Sequence, residues 1–191
     1  KKDPVAGSLA SSIFANSPFL GHCMHNDPKF MKALFTMGPE ACHDMVLKNT
    51  VAGAAGLSEA ELKTHLRVLK RQVQLMAALG DINGLWDLER VPGTLSEFAD
   101  LAVSATASHL LLALDEKGAI KLPRSDNPEL NSGLVILGLG KLGGRELNYS
   151  SDIDIIILFD PDRVQCDNPE EMQNHFVRLA RKMVNILDER T

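Results

Sequence analysis

Asp152 and Asp154 stand two residues apart at the head of an apolar, β-branched run, Ile153 to Phe159. On a strand that spacing sends both carboxylates to one face and turns Ile153 and Ile155 to the other. Carboxylates so close repel one another unless a proton or a cation intervenes, and oxygen ligands with open coordination positions suit Mg²⁺ shared with phosphate oxygens. Upstream runs Gly138-Leu139-Gly140-Lys141-Leu142-Gly143-Gly144, following a second short apolar run, Leu134 to Leu137. Glycines there let backbone N–H groups approach a phosphate, and a short helix starting at the turn adds its positive end. Flexible turn, helix end and paired metal ligands together point to phosphoryl or nucleotidyl transfer. The plainer alternative is an acidic strand end after a glycine turn, and for Asp-x-Asp alone it is the better one.

Gly138, Gly140 and Gly143 also satisfy G-x-G-x-x-G after a strand, with Asp160 at the end of the next, so the dinucleotide-binding fingerprint is formally met. A parallel crossover, however, needs a helix long enough to pack on the sheet, and the stretch from Arg145 to Ser151 leaves roughly two turns at most.

The elements that must position this stretch follow from periodicity. Before about residue 120 the signals are helical: short segments around Leu9 to Phe14 and Pro28 to Met37, then a helix opened by Pro39 that runs towards Lys48 and stops before Gly53. Ser58 and Glu61 have capping-box spacing ahead of the stripe Leu62, Leu66, Leu69, Val73 and Met76, which ends near Gly80. Thr94 and Glu97 repeat that spacing ahead of a helix that stops near Gly118. Lys121 to Pro128, with two prolines and several turn-formers, reads as a linker. Two strands follow, then a helix opened by Asn168 and Pro169 with Phe176, Leu179, Met183 and Ile186 in register. The expected organisation is therefore α+β, with a helical domain over 1–125 and the first part of an α/β core, two strands and a helix, over 126–191.

Other groups are weighed and set aside. His22, Cys23 and His25 lack further spaced ligands and read as a solvated loop, and His109 as a packed or surface histidine. Lys63, Arg67, Lys70 and Gln74 share a helix face, read as solvated, with a basic wall near a phosphate or a partner as the alternative. Trp86 reads as the anchor of a loop.

Twenty Lys and Arg against 25 Asp and Glu give a net charge of −5, so no basic surface is expected to hold a nucleic acid. Continuous apolar runs fall short of the ~20 residues of a membrane span, which predicts a soluble chain with no membrane partner. Three scattered cysteines predict neither a disulfide framework nor a thiolate zinc site, in keeping with a cytoplasmic location. The first residue is Lys1 and no secretory signal follows it, so the chain reads as a piece of something longer.

The run from Gly138 to Ile155, Gly-Leu-Gly-Lys-Leu-Gly-Gly-Arg-Glu-Leu-Asn-Tyr-Ser-Ser-Asp-Ile-Asp-Ile, resembles the signature of the bacterial glutamine synthetase adenylyltransferase/adenylyl-removing enzymes, within the DNA polymerase β-like nucleotidyltransferase superfamily. Leu66 to Arg71, Leu79 to Ile82 and Leu95 to Asp100 resemble the family's helical region at lower specificity. The resemblance implies a polymerase β-like core in which Asp152 and Asp154 are catalytic and bind Mg²⁺, while Gly140, Lys141, Gly143, Gly144 and Ser151 bind nucleotide. Lys141 departs from the Gly or Ser of the general superfamily pattern, although lysine is usual in this family.

Such enzymes carry two units, and Asn148-Tyr149-Ser150-Ser151 ahead of Asp152 resembles the first, which removes AMP from a tyrosine of glutamine synthetase with inorganic phosphate, giving ADP. ATP-dependent adenylylation by the second unit, and a non-catalytic helical docking module, remain the alternatives. Implied partners are glutamine synthetase and a PII-type signalling protein, in control of nitrogen metabolism. The superfamily's third carboxylate is expected beyond Thr191, and the isolated fragment is expected to be inactive.

Overall fold

The computed structural model describes residues 15–188 together with Gly7, Ser11 and Ile13. The expected segment from Leu9 to Phe14 lies largely outside the described residues. Helices α1 (Pro18–Asn26) and α2 (Pro28–Ala52) each open on a proline behind a capping side chain. Ser17 Oγ accepts from Leu20 N at 3.3 Å, and Asp27 Oδ1 accepts from Phe30 N at 2.9 Å. Within α2, Gly38 leaves the helical region (φ 83°, ψ 167°) and Pro39 restarts the helix, which is the break the sequence places there.

Helix α3 (Glu59–Ile82) starts on the expected capping box: Ser58 Oγ accepts from Glu61 N, and the Glu61 carboxylate accepts from Ser58 N at 2.8 Å. Its stripe from Leu62 to Met76 is buried. Past its end, Trp86 folds back as the anchor its position suggests, with its side chain buried and its backbone N–H donating to Gly80 O at 3.0 Å. A Cβ on Gly80 would lie 2.7 Å from the Trp86 ring, so glycine is required for this approach. Gly80→Ala is expected to destabilise the protein by about 1–3 kcal/mol through overpacking, read from a lower denaturant midpoint at unchanged slope.

Helix α4 (Arg90–Glu116) corrects one expectation. Thr94 and Glu97 do not form its capping box: the helix begins a turn earlier, where Asp87 Oδ1 accepts from Arg90 N at 2.8 Å, and Thr94 is buried inside it. Val91 and Leu95 are both buried and extend the apolar stripe upstream, while Pro92 falls in the first turn, where its missing N–H costs nothing. By length and composition α4 could cross a membrane, although half of its apolar window is buried inside the protein, as in a core helix. Counting continuous apolar runs passes over it because Ser, Thr and Asp interrupt the sequence.

Beyond the helices, β1 (Leu134–Leu139) and β2 (Asp154–Phe159) pair antiparallel, with Leu134 opposite Phe159 and Leu139 opposite Asp154. The single-turn helix α5 (Gly140–Gly143) leaves the end of β1, and α6 (Pro169–Leu187) returns across α4. An antiparallel pair without a crossover helix rules out the dinucleotide-binding reading of the glycines. The chain is thus α+β, mostly helical with a two-stranded sheet.

Helices and sheet share one buried cluster. Phe159 of β2 stacks on Phe176 of α6 at 4.5 Å, and α6 is tied to α3 by Lys182–Glu59 (2.9 Å) and Lys63–Asn185 (3.3 Å). The segment read as a linker is fastened at its start: Lys121 N donates to Gln165 O at 2.8 Å, and Leu122 N to Asp115 Oδ1 at 2.9 Å.

Candidate active site

Pairing in β2 begins at Asp154, so Asp152 stands in the segment just ahead of the strand instead of within it. The cause is on the partner strand: Gly140 turns the chain away after Leu139 at φ 52°, which leaves residues 152 and 153 nothing to pair with. The alternation continues nonetheless. Asp152, Asp154, Ile156 and Leu158 are exposed, while Ile153, Ile155, Ile157 and Phe159 are half-buried against the core. The two carboxylates therefore keep the same open side, with the two isoleucines turned inward.

The glycines of the turn have separable roles. A Cβ on Gly140 would stand 3.0 Å from Asp154 Oδ2, so the carboxylate rests over a bare Cα. A Cβ on Gly143 would come within 2.6 Å of the Gly138 carbonyl oxygen, so Gly143 lets the turn close onto the end of β1. Gly144 is crowded by nothing closer than ordinary contact. Because α5 is one turn long, it carries little of the dipole that a longer helix end would offer an anion.

Lys141 is exposed, with Nζ 3.5 Å from Ser151 Oγ. Ser151 is held by Asn148: its Oγ accepts from Asn148 N at 3.1 Å and donates to Asn148 Oδ1 at 2.8 Å. The turn and the loop thus bring Gly140, Lys141, Ser151 and Asp154 into one neighbourhood.

Three residues that sequence reasoning did not assign to the site hold its loop. Gln74 Nε2 donates to Tyr149 O at 3.0 Å, Ser96 Oγ accepts from Leu147 N at 3.4 Å, and Arg145 pairs with Asp100 at 3.5 Å. Burial pushes the Asp100 carboxyl up, against the opposing pull of Arg145. Gln74 does not lie on a solvated face of α3 as its spacing with Lys63, Arg67 and Lys70 suggests; it is buried, because the loop before Asp152 packs over that end of the helix. The one available signal was its spacing of four from Lys70 on the side of the apolar stripe.

Above these contacts lies a cavity of about 620 Å³, with Lys70 and Gln74 of α3, Phe98 of α4, and Ser151, Asp152 and Ile155 in its wall. Among the described residues no group of three or more His, Cys, Asp or Glu could hold a metal, and the His22 ring is bonded to Asn26 while Cys23 is buried. Tyr149 is the sole tyrosine. Its hydroxyl is buried, and burial, with the Asp81 carboxylate in second place, pushes it up to about 12.

That shift has a sign. A phenol whose folded pKa lies above its unfolded value of ~10 favours folding at lower pH, and the contribution is lost as pH rises from about 10 through about 12. An absorbance titration of the native protein is therefore expected to show the tyrosine ionising near the top of that window. Tyr149→Phe is expected to remove that pH-dependent loss of stability, and ionisation near 10 in the folded protein would contradict the burial.

Residues 8–191 match the model of the glutamate-ammonia ligase adenylyltransferase family. The chain belongs to this family. Among curated relatives it is 37% identical over 188 residues to the bifunctional glutamine synthetase adenylyltransferase/adenylyl-removing enzyme of Brucella suis, covering 97% of the chain and 19% of the relative. Identity to the enzyme of the same name from Rhizobium meliloti is 40% over 187 residues, covering 94% and 19%. For that of Rhodopseudomonas palustris it is 38% over 190 residues, covering 99% and 19%. The chain thus spans about a fifth of the length of these adenylyltransferases.

Proposed function

We propose that this chain carries the phosphorolytic, AMP-removing site of a glutamine synthetase adenylyltransferase, and that β1, β2 and the turn between them begin a polymerase β-like nucleotidyltransferase core. The observation that carries the reading is the shared open side of Asp152 and Asp154, with Gly140 left bare beneath the second carboxylate, in a member of this family.

The donor set fits Mg²⁺. Two carboxylates with no third acidic or imidazole ligand grouped with them among the described residues make a poor all-protein cage, and Mg²⁺ is commonly held by one or two carboxylates plus waters and phosphate oxygens. Asp152 and Asp154 would hold it, and when bound it would neutralise charge on the transferred group.

The protein's own groups do the rest. Lys141, exposed beside Ser151, offers a cation to phosphate oxygens, and the backbone of the Gly140 turn admits them closely. Inorganic phosphate attacks the AMP phosphorus, the bond to the tyrosine oxygen breaks, and the phenolate that leaves takes up a proton. A phenol with pKa near ~10 needs less assistance in leaving than an alkoxide.

The reading extends to the relatives' named partner, glutamine synthetase, to ATP in the opposite reaction, to a PII-type regulator and to a cytoplasmic setting. The test is ADP formation from adenylylated glutamine synthetase and phosphate by the full-length protein, with and without Mg²⁺. If substitutions at Asp152 abolish ATP-dependent loading instead, the opposite reaction belongs here. If they alter neither reaction while glutamine synthetase still binds, the docking role does.

A further inference from the structure

We infer that Ser151 is a positioning residue for Lys141 and not a phosphate ligand: its hydroxyl, with its single proton committed to the Asn148 side chain, serves as an acceptor that steers the Lys141 ammonium towards phosphate. The inference rests on the phosphate chemistry proposed above. It divides the labour within that site and replaces the nucleotide-binding role that the sequence resemblance implies for Ser151.

Its foundation is a proton count. Ser150 N donates to Asn148 Oδ1 at 3.1 Å, and a backbone N–H can only donate, so this atom of the amide is its oxygen; the flipped amide would set N–H against N–H. An amide oxygen only accepts, so the 2.8 Å contact between Ser151 Oγ and Asn148 Oδ1 takes the hydroxyl proton. A serine hydroxyl has one proton and two lone pairs. One lone pair accepts from Asn148 N at 3.1 Å, and the other is left for Lys141 Nζ, 3.5 Å away. Phosphate oxygens also accept, and Ser151 has no proton left to give them.

The mount is rigid and the cation is not. Ser151 N also donates to Asn148 O at 3.1 Å, so four hydrogen bonds close residues 148–151 on themselves. Asn148 stands between Leu147, whose N–H donates to Ser96, and Tyr149, whose carbonyl accepts from Gln74, so the backbone is held by helices on either side of it. Lys141 is exposed, on a long stem whose freedom is lost when it binds. At 3.5 Å its contact with Ser151 is long for a hydrogen bond, so it confines the ammonium to this neighbourhood without locking it. Two further N–H groups of the ammonium remain for phosphate oxygens. Confinement in advance lowers the ordering cost when phosphate arrives.

The test is a double-mutant cycle in the full-length protein, reading kcat and KM for inorganic phosphate in ADP formation from adenylylated glutamine synthetase. Lys141→Met, which keeps the stem and removes the charge, is expected to lower kcat/KM by about 10-fold or more, the size of one hydrogen bond to a charged group. Ser151→Ala is expected to lower it roughly threefold, through a higher KM for phosphate with kcat retained. In the Lys141→Met background the same Ser151→Ala is expected to cost nothing further, because no cation remains to be steered.

An equal loss from Ser151→Ala in both backgrounds would overturn the inference, since a direct phosphate ligand, or a plain brace of the loop, acts whether or not residue 141 carries a charge. So would an unchanged kcat/KM in either single variant, or a loss from Ser151→Ala that falls on kcat alone. Failure of the phosphorolysis reading looks different: Asp152→Asn, measured beside the cycle, then leaves ADP formation unchanged, and the inference falls with that reading.

Discussion

Asp152→Asn and Asp154→Asn, each in the full-length enzyme, are expected to lower phosphate-dependent ADP formation from adenylylated glutamine synthetase by about 10³-fold or more. Asparagine keeps the size and one oxygen of aspartate and removes the charge, so what is lost is the attraction for a divalent cation and for the charge it neutralises. Several kcal/mol of transition-state stabilisation are at stake, and each 1.36 kcal/mol is worth about tenfold. The two variants are also expected to fold normally, because both side chains are exposed and neither serves as a partner in the core. Activity within tenfold of wild type in either variant would falsify the assignment of the pair. Loss of activity together with a lowered thermal midpoint would instead point to a structural role.

How much of this was legible beforehand depended on how local the cause was. The capping box at Ser58, the proline starts at Pro28 and Pro169, the break at Gly38–Pro39 and a gap between the strands too short for a parallel crossover are each set by residues close to one another in the chain, and each is found in the structure. Thr94 failed as a cap because a longer-range cause prevailed: burial of Val91 against the neighbouring helices pulled the start of α4 a turn upstream. The start of β2 was misplaced for a similar reason. Strand propensity favoured Ile153, but a strand lasts only as long as its partner, and the partner ends at Gly140.

The candidate site divides along the same line. Alternation alone put the two aspartates on one side, and the glycine spacing alone marked the turn. That Gly140 sits under Asp154 while Gly143 faces the Gly138 carbonyl could not be read from spacing, since both glycines satisfy the same pattern and only the path of the turn distinguishes them. Gln74, Ser96 and Asp100 lie 45 to 75 residues before the loop residues they hold, on helices whose packing alone determines which polar side chains face the sheet. Their types carried no signal, because a glutamine, a serine and an aspartate on amphipathic helices most often face water.

That division of labour between the glycines makes Gly140→Ala the most discriminating single change after the aspartates. At φ 52° alanine enters the left-handed region at a cost of roughly 1–2 kcal/mol, small beside the stability of a core spread over four long helices and the sheet. Its Cβ would stand 3.0 Å from Asp154 Oδ2, tighter than an ordinary contact, so the carboxylate must move by some tenths of an ångström or rotate away. Reacting groups lose about 10²-fold in rate for misplacement near 1 Å, and a fall of roughly 10- to 100-fold in kcat is expected here, with the thermal midpoint lowered by only a few degrees. Gly143→Ala provides the contrast. Its Cβ meets a backbone carbonyl that cannot swing aside, so the expected cost is to the stability of the turn, with activity lost in step with folding. Equal effects of the two alanines on stability and on kcat would mean that Gly140 serves chain geometry alone, and the placement of Asp154 would then have to be explained by its pairing with Leu139.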